Sequence, residues 1–358
     1  MQDKSTYRID QSYDWNYENG PVFEQEIPER PPVKRKFDFL GFKLNSRLGV
    51  PAGPLLNANF TTLYAKLGFD IVIYKTVRSI ERKVHPAPNC VYVDTHGQLK
   101  AEDAGSDIRA SEHLPERVVD ITITNSFGMP CKAPVDWMAD VEKANKALGD
   151  GQLLVVSVVG TPGLEMDFVE DFARVAGMAK EAGAKVIEAN FSCPNVCTGE
   201  GSIYKDAETA AKITKRIKET IGNTPLMIKI GHFEDKRELE AVMKATMPYV
   251  QCYAGINTIA MNVYDKEGKA AALPGEGRLT SGLCGAGIEN VAHDFTATMA
   301  QVKQTLGGDF AICSVGGITQ PEQFDERFVA GADVAMSATG AMWDPLLAYK
   351  YHLLHAND

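Results

Sequence analysis

From residue 37 onward, short continuous apolar runs alternate with longer stretches whose apolar positions recur every three or four residues. The runs lie at 48–53, 70–76, 153–159, 185–191, 225–230, 254–259, 310–315 and 333–337, and most are rich in Val and Ile. They are too short for helices and too uniformly apolar for half-exposed strands, so they read as strands buried on both faces. Between them the period changes. Residues 167–182 place Phe168, Phe172, Val175 and Met178 at steps of three and four, and 207–221 and 235–247 behave alike. Alternating strand and helix signals predict parallel strands joined by crossover helices. Eight such units predict an α/β fold closed into a (β/α)8 TIM barrel. An open doubly wound sheet is the alternative, but no GxGxxG follows the first strand run.

Two regions break the rhythm. Residues 77–152 form a long insertion after the second strand, holding HPAPN, a polar stretch, NSFGMP and a helix-like segment at 135–148. A long insertion in a barrel points to function, because active sites sit on the βα loops. Residues 1–36 are polar, spotted with Tyr and Trp, and rich in Pro and charge near their end. They are expected to form an arm ahead of a catalytic barrel domain at 37–358, either packed on a surface such as a partner subunit's or loosely ordered as a tail. The first twenty residues lack an apolar core, so no signal peptide is expected. No window of 18 apolar residues occurs, so no transmembrane helix is expected.

Charge and cysteine content narrow the function. The 358-residue chain has a net charge of -10 and a pI of about 5.3. That argues against broad nucleic-acid binding, which needs a basic surface to displace counterions. Its 7 Cys are irregularly spaced with no CxxC pair, which fits a reduced, cytoplasmic setting.

In a barrel, catalysis sits where the strands end. Here those ends hold Lys75 and Thr76, Asn190 with Cys193 and Asn195, Lys229, Asn257 and Thr258, Gly316 and Gly317, and Ala338 and Thr339. The inventory has lysines, asparagines and one cysteine, with no His or carboxylate cluster and no metal site. Asparagine amides both donate and accept, which suits an imide-like ring. Lysines can stabilise an anion, and glycine turns can expose backbone N–H groups to a phosphate. Each feature alone has an ordinary reading as a surface charge, a turn or a buried thiol. Their gathering on one face of a barrel gives them weight.

The string NFSCPNV (190–196) resembles the active-site signature of the dihydroorotate dehydrogenase family. So do IYKT (73–76), HPAPN (85–89), NSFGMP (125–130), MIKI (227–230), INT (256–258), SGLCGAG (281–287) and SVGGI (314–318), in the family's order. The resemblance covers roughly residues 37–350. It implies a (β/α)8 barrel holding FMN at its C-terminal mouth and oxidation of dihydroorotate to orotate in UMP biosynthesis. Lys75 then resembles the lysine near both flavin and substrate. Asn125, Asn190, Asn195 and Asn257 resemble the asparagines that grip the pyrimidine, and Thr258 stands where the family has Ser or Thr. Phe127, Gly128 and Met129 match the loop that meets the substrate carboxylate. Lys229 resembles the lysine beside flavin N1. Ala52, Gly53 and Thr76 match flavin contacts, and Gly282, Gly316, Gly317, Ala338 and Thr339 match the phosphate cradle.

Cys193 matches the catalytic base. Soluble class 1 members have Cys there and membrane-associated class 2 members have Ser. Class 1 implies a homodimer that reduces fumarate, or one that passes electrons through an FAD and iron–sulfur partner to NAD. Cys197 with the loop 198–206, the insertion at 131–137 and the arm depart from the simplest class 1 chains. Two other readings are a dihydropyrimidine dehydrogenase-like enzyme and a non-catalytic flavin- or pyrimidine-binding protein. Asn195 favours dihydroorotate over the first, and Cys193 speaks against the second.

Overall fold

The computed structural model describes residues 5–192 and 203–357. It opens with α1 (Tyr13–Asn19) and a hairpin of β1 (Phe37–Phe39) and β2 (Phe42–Leu44). β3 (Leu48–Val50), α2 (Ala58–Lys66) and β4 (Ile71–Val77) begin the main sheet. β5 (Cys90–Val93), β6 (Asp107–Ser111) and β7 (Thr122–Asn125) leave it, and α3 (Pro134–Lys146) leads back. β8 (Leu153–Val158), α4 (Phe168–Glu181), β9 (Val186–Asn190), α5 (Ala207–Ile221) and β10 (Leu226–Lys229) follow. Then come α6 (Lys236–Thr246) and β11 (Cys252–Gly255). β12 (Ile259–Tyr264) and β13 (Thr280–Gly285) make a second excursion. α7 (Glu289–Leu306), β14 (Ala311–Val315), α8 (Glu322–Val329), β15 (Val334–Met336), α9 (Thr339–Trp343) and α10 (Leu347–Leu354) complete the chain.

β3, β4, β8, β9, β10, β11, β14 and β15 close into a barrel in which every neighbouring pair is parallel. This is the (β/α)8 barrel that the alternation predicts. All six residues of β8 are buried, as expected of a strand covered by helices outside and packed side chains inside. The helices start where the sequence offers a cap: Asp167 accepts from the amides of Val169 and Glu170, and Asp206 from those of Glu208 and Thr209. α5 buries Ala210, Ile213, Thr214, Ile217 and Ile221, the face that its spacing predicts. Inside the barrel, Ile71, Ile73, Leu153, Val155, Val186 and Met227 form one cluster with Phe39 and Leu44. The hairpin β1–β2 thus closes the end where the strands begin.

The sixth strand needs a correction. It runs over Cys252–Gly255, two residues before the apolar run at 254–259. That run is composite: its last residue, Ile259, begins β12 in a different sheet.

The insertion after the second strand also has more order than its sequence announces. Its strands β5, β6 and β7 join β12 and β13 in a second closed sheet, in the order β12-β13-β7-β5-β6. Four of its pairings are antiparallel, and β6 with β12 is parallel. Both excursions leave from the C-terminal ends of barrel strands, so this five-stranded cap stands over the catalytic mouth. Part of the arm packs on its own chain. The Thr6 amide donates to Met342 O, the Val22 amide donates to Thr6 O, and Thr6 Oγ1 lies 2.6 Å from the Tyr64 hydroxyl. Asn57 Nδ2 donates to Tyr17 O at 2.7 Å. Among the described residues, no helix is long and apolar enough to cross a membrane.

Candidate active site

One large cavity lies between barrel mouth and cap, with about 1280 Å³ of space between protein atoms, its open mouth included. The barrel contributes Gly53, Lys75, Thr76, Asn190, Lys229, Asn257, Thr258, Gly316, Gly317, Ala338 and Thr339. The cap and the segment after it contribute Asn125, Phe127, Gly128, Met129 and Cys284, and the arm contributes Tyr7 and Tyr13. Fifteen of the sequence-predicted residues therefore face one space. Ala52 is buried beside it, and Gly282 backs onto Thr258, where a Cβ would lie 2.3 Å from Oγ1. Neither of these two lines the cavity. Cys193 and Asn195 lie outside the described residues.

The polar groups are held in set orientations. Asn190 Nδ2 reaches Thr76 Oγ1 at 3.3 Å, while its Oδ1 accepts from the Ser192 amide at 3.2 Å. Thr76 in turn meets Ser157 Oγ at 3.0 Å. Asn257 Nδ2 donates to Ser192 O at 2.6 Å. The Thr258 hydroxyl is buried with no hydrogen-bond partner, so its capacity is left for a ligand. Lys229 is 5% exposed, and its Nζ lies 3.5 Å from Glu188 Oε1. Neither carboxylate oxygen of Glu188 has a hydrogen bond, and the two form a buried ion pair whose Lys229 end lines the cavity.

Just past the ends of β14 and β15 two turns bring backbone close to the cavity. Gly317 has φ +77, and a Cβ there would lie 2.2 Å from Glu289 Cα. At Gly340 a Cβ would lie 2.2 Å from Ile318 O. Only glycine fits at either place. The amides of Gly317, Thr339 and Gly340 have no acceptor among the described residues. Arg327 holds the first turn from behind through Gly316 O at 3.1 Å and Glu289 Oε1 at 3.0 Å. Free amides on two adjacent turns fit a phosphate, and Lys229 at the end of β10 fits an electron-accepting ring. The residues present therefore suit a flavin mononucleotide.

The loop after β7 is built for close approach as well. Gly128 has φ +78, and a Cβ there would lie 2.3 Å from His85 Nε2. Met129 follows at φ +50. The His85 amide donates to Phe127 O at 3.0 Å and the Ser126 amide to Asn89 O at 2.8 Å. HPAPN and NSFGMP are thus two edges of one structure.

Burial raises the Cys284 thiol above its ordinary pKa and pushes Cys131 up to about 11. Both are protonated thiols at neutral pH, which makes them poor bases. Among the described residues, no group of His, Cys, Asp and Glu is placed to hold a metal ion. Sequence reading did not single out Tyr7, Tyr13 or Cys284. Cys284 stands within SGLCGAG, and only the clustering of aromatics marked the arm.

A family model described as Dihydroorotate dehydrogenase matches residues 109–350. A dihydroorotate dehydrogenase of Dictyostelium discoideum is 40% identical over 365 residues, covering 99% of this chain and 98% of that one. The catalytic subunit of dihydroorotate dehydrogenase B (NAD(+)) from Bacillus cytotoxicus is 32% identical over 181 residues, 50% of this chain and 55% of its own. Among solved structures, that of DHODH in complex with ferulenol from Eimeria tenella has the same fold. Its TM-score is 0.72 at 16% identity, with 96% of this chain and 89% of that chain covered.

Proposed function

This chain belongs to the dihydroorotate dehydrogenase family and oxidises dihydroorotate to orotate in pyrimidine biosynthesis; we propose that it does so with FMN in the barrel mouth and Cys193 as the base. The observation that carries this reading is the convergence of Lys75, Asn125, Asn190, Asn257, Thr258 and Lys229 on one cavity.

Dihydroorotate is a cyclic imide with a carboxylate. The asparagine amides can donate to its ring carbonyls and accept from its ring N–H groups. The amides of Phe127, Gly128 and Met129 have no acceptor among the described residues and line the cavity beside Asn125, so they suit the carboxylate. Held by the turns at Gly317 and Thr339 and by Lys229, FMN would supply the acceptor for the hydride that leaves C6. Lys229 supplies a cation where negative charge arrives. Cys193 follows β9 by three residues and takes the C5 proton on its sulfur. The C5–H and C6–H bonds break and the C5=C6 bond forms. Asparagines gripping the ring orient it for both departures, so positioning provides part of the rate.

The purified protein is expected to be yellow, to release FMN rather than FAD, and to bleach when mixed anaerobically with dihydroorotate. Release of FAD, or a fully loaded protein that dihydroorotate does not bleach, would overturn the proposal. The same reading takes fumarate as electron acceptor and a cytoplasmic homodimer as the working form. Reoxidation of the bleached protein by fumarate, against quinone or oxygen, tests the first. Light scattering tests the assembly.

A further inference from the structure

One cation near the site is not accounted for by the reaction. Arg278 lies between β12 and β13, on the cap, and is 4% exposed. Its Nε donates to Ser126 Oγ at 3.2 Å. Nη2 donates to Ser126 O at 2.6 Å and to Pro88 O at 3.3 Å. Nη1 donates to Pro86 O at 2.8 Å and also to Pro274 O. A guanidinium has five N–H groups. Here each has its own acceptor, and all five acceptors are neutral. No carboxylate pairs with Arg278 among the described residues, and burial alone lowers its pKa.

A buried charge without a counterion is costly, so such a group is informative where it occurs. This one clasps both motifs at once. Pro86 and Pro88 belong to HPAPN, and Ser126 belongs to NSFGMP. Asn89 draws the same segments together from inside, its Nδ2 donating to His85 O at 2.9 Å and Pro86 O at 3.2 Å. The contact at Ser126 O matters most. That carbonyl shares a peptide unit with the Phe127 amide, and the peptide is trans. In a trans peptide, C=O and N–H point to opposite sides. With its carbonyl on Arg278, the peptide must aim its N–H away from the guanidinium. That amide has no acceptor among the described residues, and Phe127 lines the cavity. A cation on the carbonyl also polarises the peptide, which strengthens its N–H as a donor to an anion.

We infer that Arg278 is a positioning residue for substrate recognition, fixing and polarising the Ser126–Phe127 peptide so that the site selects a ligand bearing a carboxylate. It touches no ligand itself. The inference rests on the reading above, in which the loop 127–129 meets the substrate carboxylate. Lysine cannot replace arginine in this role, because three donors on one nitrogen cannot serve acceptors spread over three segments.

The test compares orotate with methyl orotate, which keeps the ring and removes the charge. Each is titrated into the FMN holoenzyme, and the flavin spectrum gives Kd. The wild type should bind orotate more tightly, and that preference tests the underlying reading alone. Arg278→Lys and Arg278→Met should keep FMN while weakening orotate about 10- to 100-fold. Methyl orotate should change less than about threefold, which leaves the preference largely erased. In turnover the loss should fall on KM before kcat. Equal weakening of both ligands would show that Arg278 only holds the fold, and would overturn the inference while leaving the reading intact. Should neither variant yield folded holoenzyme, Ser126→Ala removes one of the five acceptors. It should lower the same ratio in the same direction, and an unchanged ratio would also overturn the inference.

Discussion

The two walls of the cavity are made in different ways. On the barrel wall, each side chain sits at or just past the end of a strand locked in a parallel ladder. Lys229 pairs in register with Asn190 on one side and Ala254 on the other. On the cap wall, the loop after β7 is held by segments far away in sequence. Arg278 reaches Ser126 across 152 positions, and Tyr7 and Tyr13 reach Phe127 from the arm. A ladder places atoms rigidly, which suits groups that handle protons and charge. A wall assembled from distant pieces suits recognition, because its shape can be set without disturbing the ladder. The contrast makes a division of labour testable: variants of the barrel groups that handle protons and charge should lower the rate of flavin reduction, and cap variants should weaken ligand binding.

Cys193→Ala should produce the largest effect. Removing a general base typically costs about 10²–10⁴-fold, so flavin reduction should slow by that factor while orotate affinity stays nearly constant. Stopped-flow reduction and orotate titration separate the two. Loss of affinity in step with rate would put this residue on the recognition side. The pH dependence sharpens the assignment. Cys131, pushed up to about 11, and Cys284, also raised, stay protonated through neutral and mildly alkaline pH. A rate that climbs with pH in that range therefore does not report either thiol. Cys193→Ser should move the climb to higher pH, since a hydroxyl gives up its proton less readily.

Lys229 comes next, and its variant must be read against Glu188. Lys229→Met should slow reduction by about 10²–10³-fold, the usual cost of losing a charge stabiliser. It also strands a buried carboxylate, which should lower stability by about 3–5 kcal/mol. The double variant Lys229→Met, Glu188→Gln should recover most of that stability but not the rate. Denaturant unfolding and single-turnover reduction on the same preparations decide it. A double variant that recovers both would make the pair purely structural.

Asn125 is the cap's counterpart. Asn125→Ala should weaken orotate binding by about 1–3 kcal/mol, because a ring atom loses its partner in a buried site. Reduction at saturating dihydroorotate should change far less. A rate collapse with affinity intact would break the proposed division.

The two walls also differ in how far the sequence announces them. Continuous apolar runs marked all eight barrel strands, and reading the residue at each end located Lys75, Asn190, Lys229 and Thr339 without any knowledge of packing. The sixth run misled by two residues because strand and excursion are both apolar there. The cap was legible only as an insertion. Its five short strands come from two segments separated by four of the eight barrel strands, and no local period shows that Thr124 pairs with both Val91 and Leu283. Asn125 and its loop were found through resemblance to a family motif, not through pattern. Arg278 and the arm tyrosines had no signal of their own, since what defines them is which distant carbonyls or rings they meet.

The smallest effect should come from the arm, and it is the most direct test of whether the arm belongs to the site. Tyr7 is 4% exposed, with its ring edge-on to Phe127 at 5.8 Å and 85°. Tyr13 lies tilted against the same ring at 6.0 Å. Burial raises the pKa of both phenols, so they stay neutral and act through shape. An aromatic pair of this kind contributes about 0.5–1.5 kcal/mol beyond its burial. Tyr7→Leu keeps much of the apolar volume but frees one face of Phe127. Orotate Kd should rise roughly two- to tenfold, with kcat unchanged. Trp15→Ala is the control, because Trp15 stands on the same short helix as Tyr13 but is 36% exposed and does not line the cavity. It should leave Kd alone. Equal effects from both substitutions would mean that the arm acts through general stability. A loss from Tyr7→Leu alone would make the arm a third recognition element, reaching the substrate through the Phe127 ring.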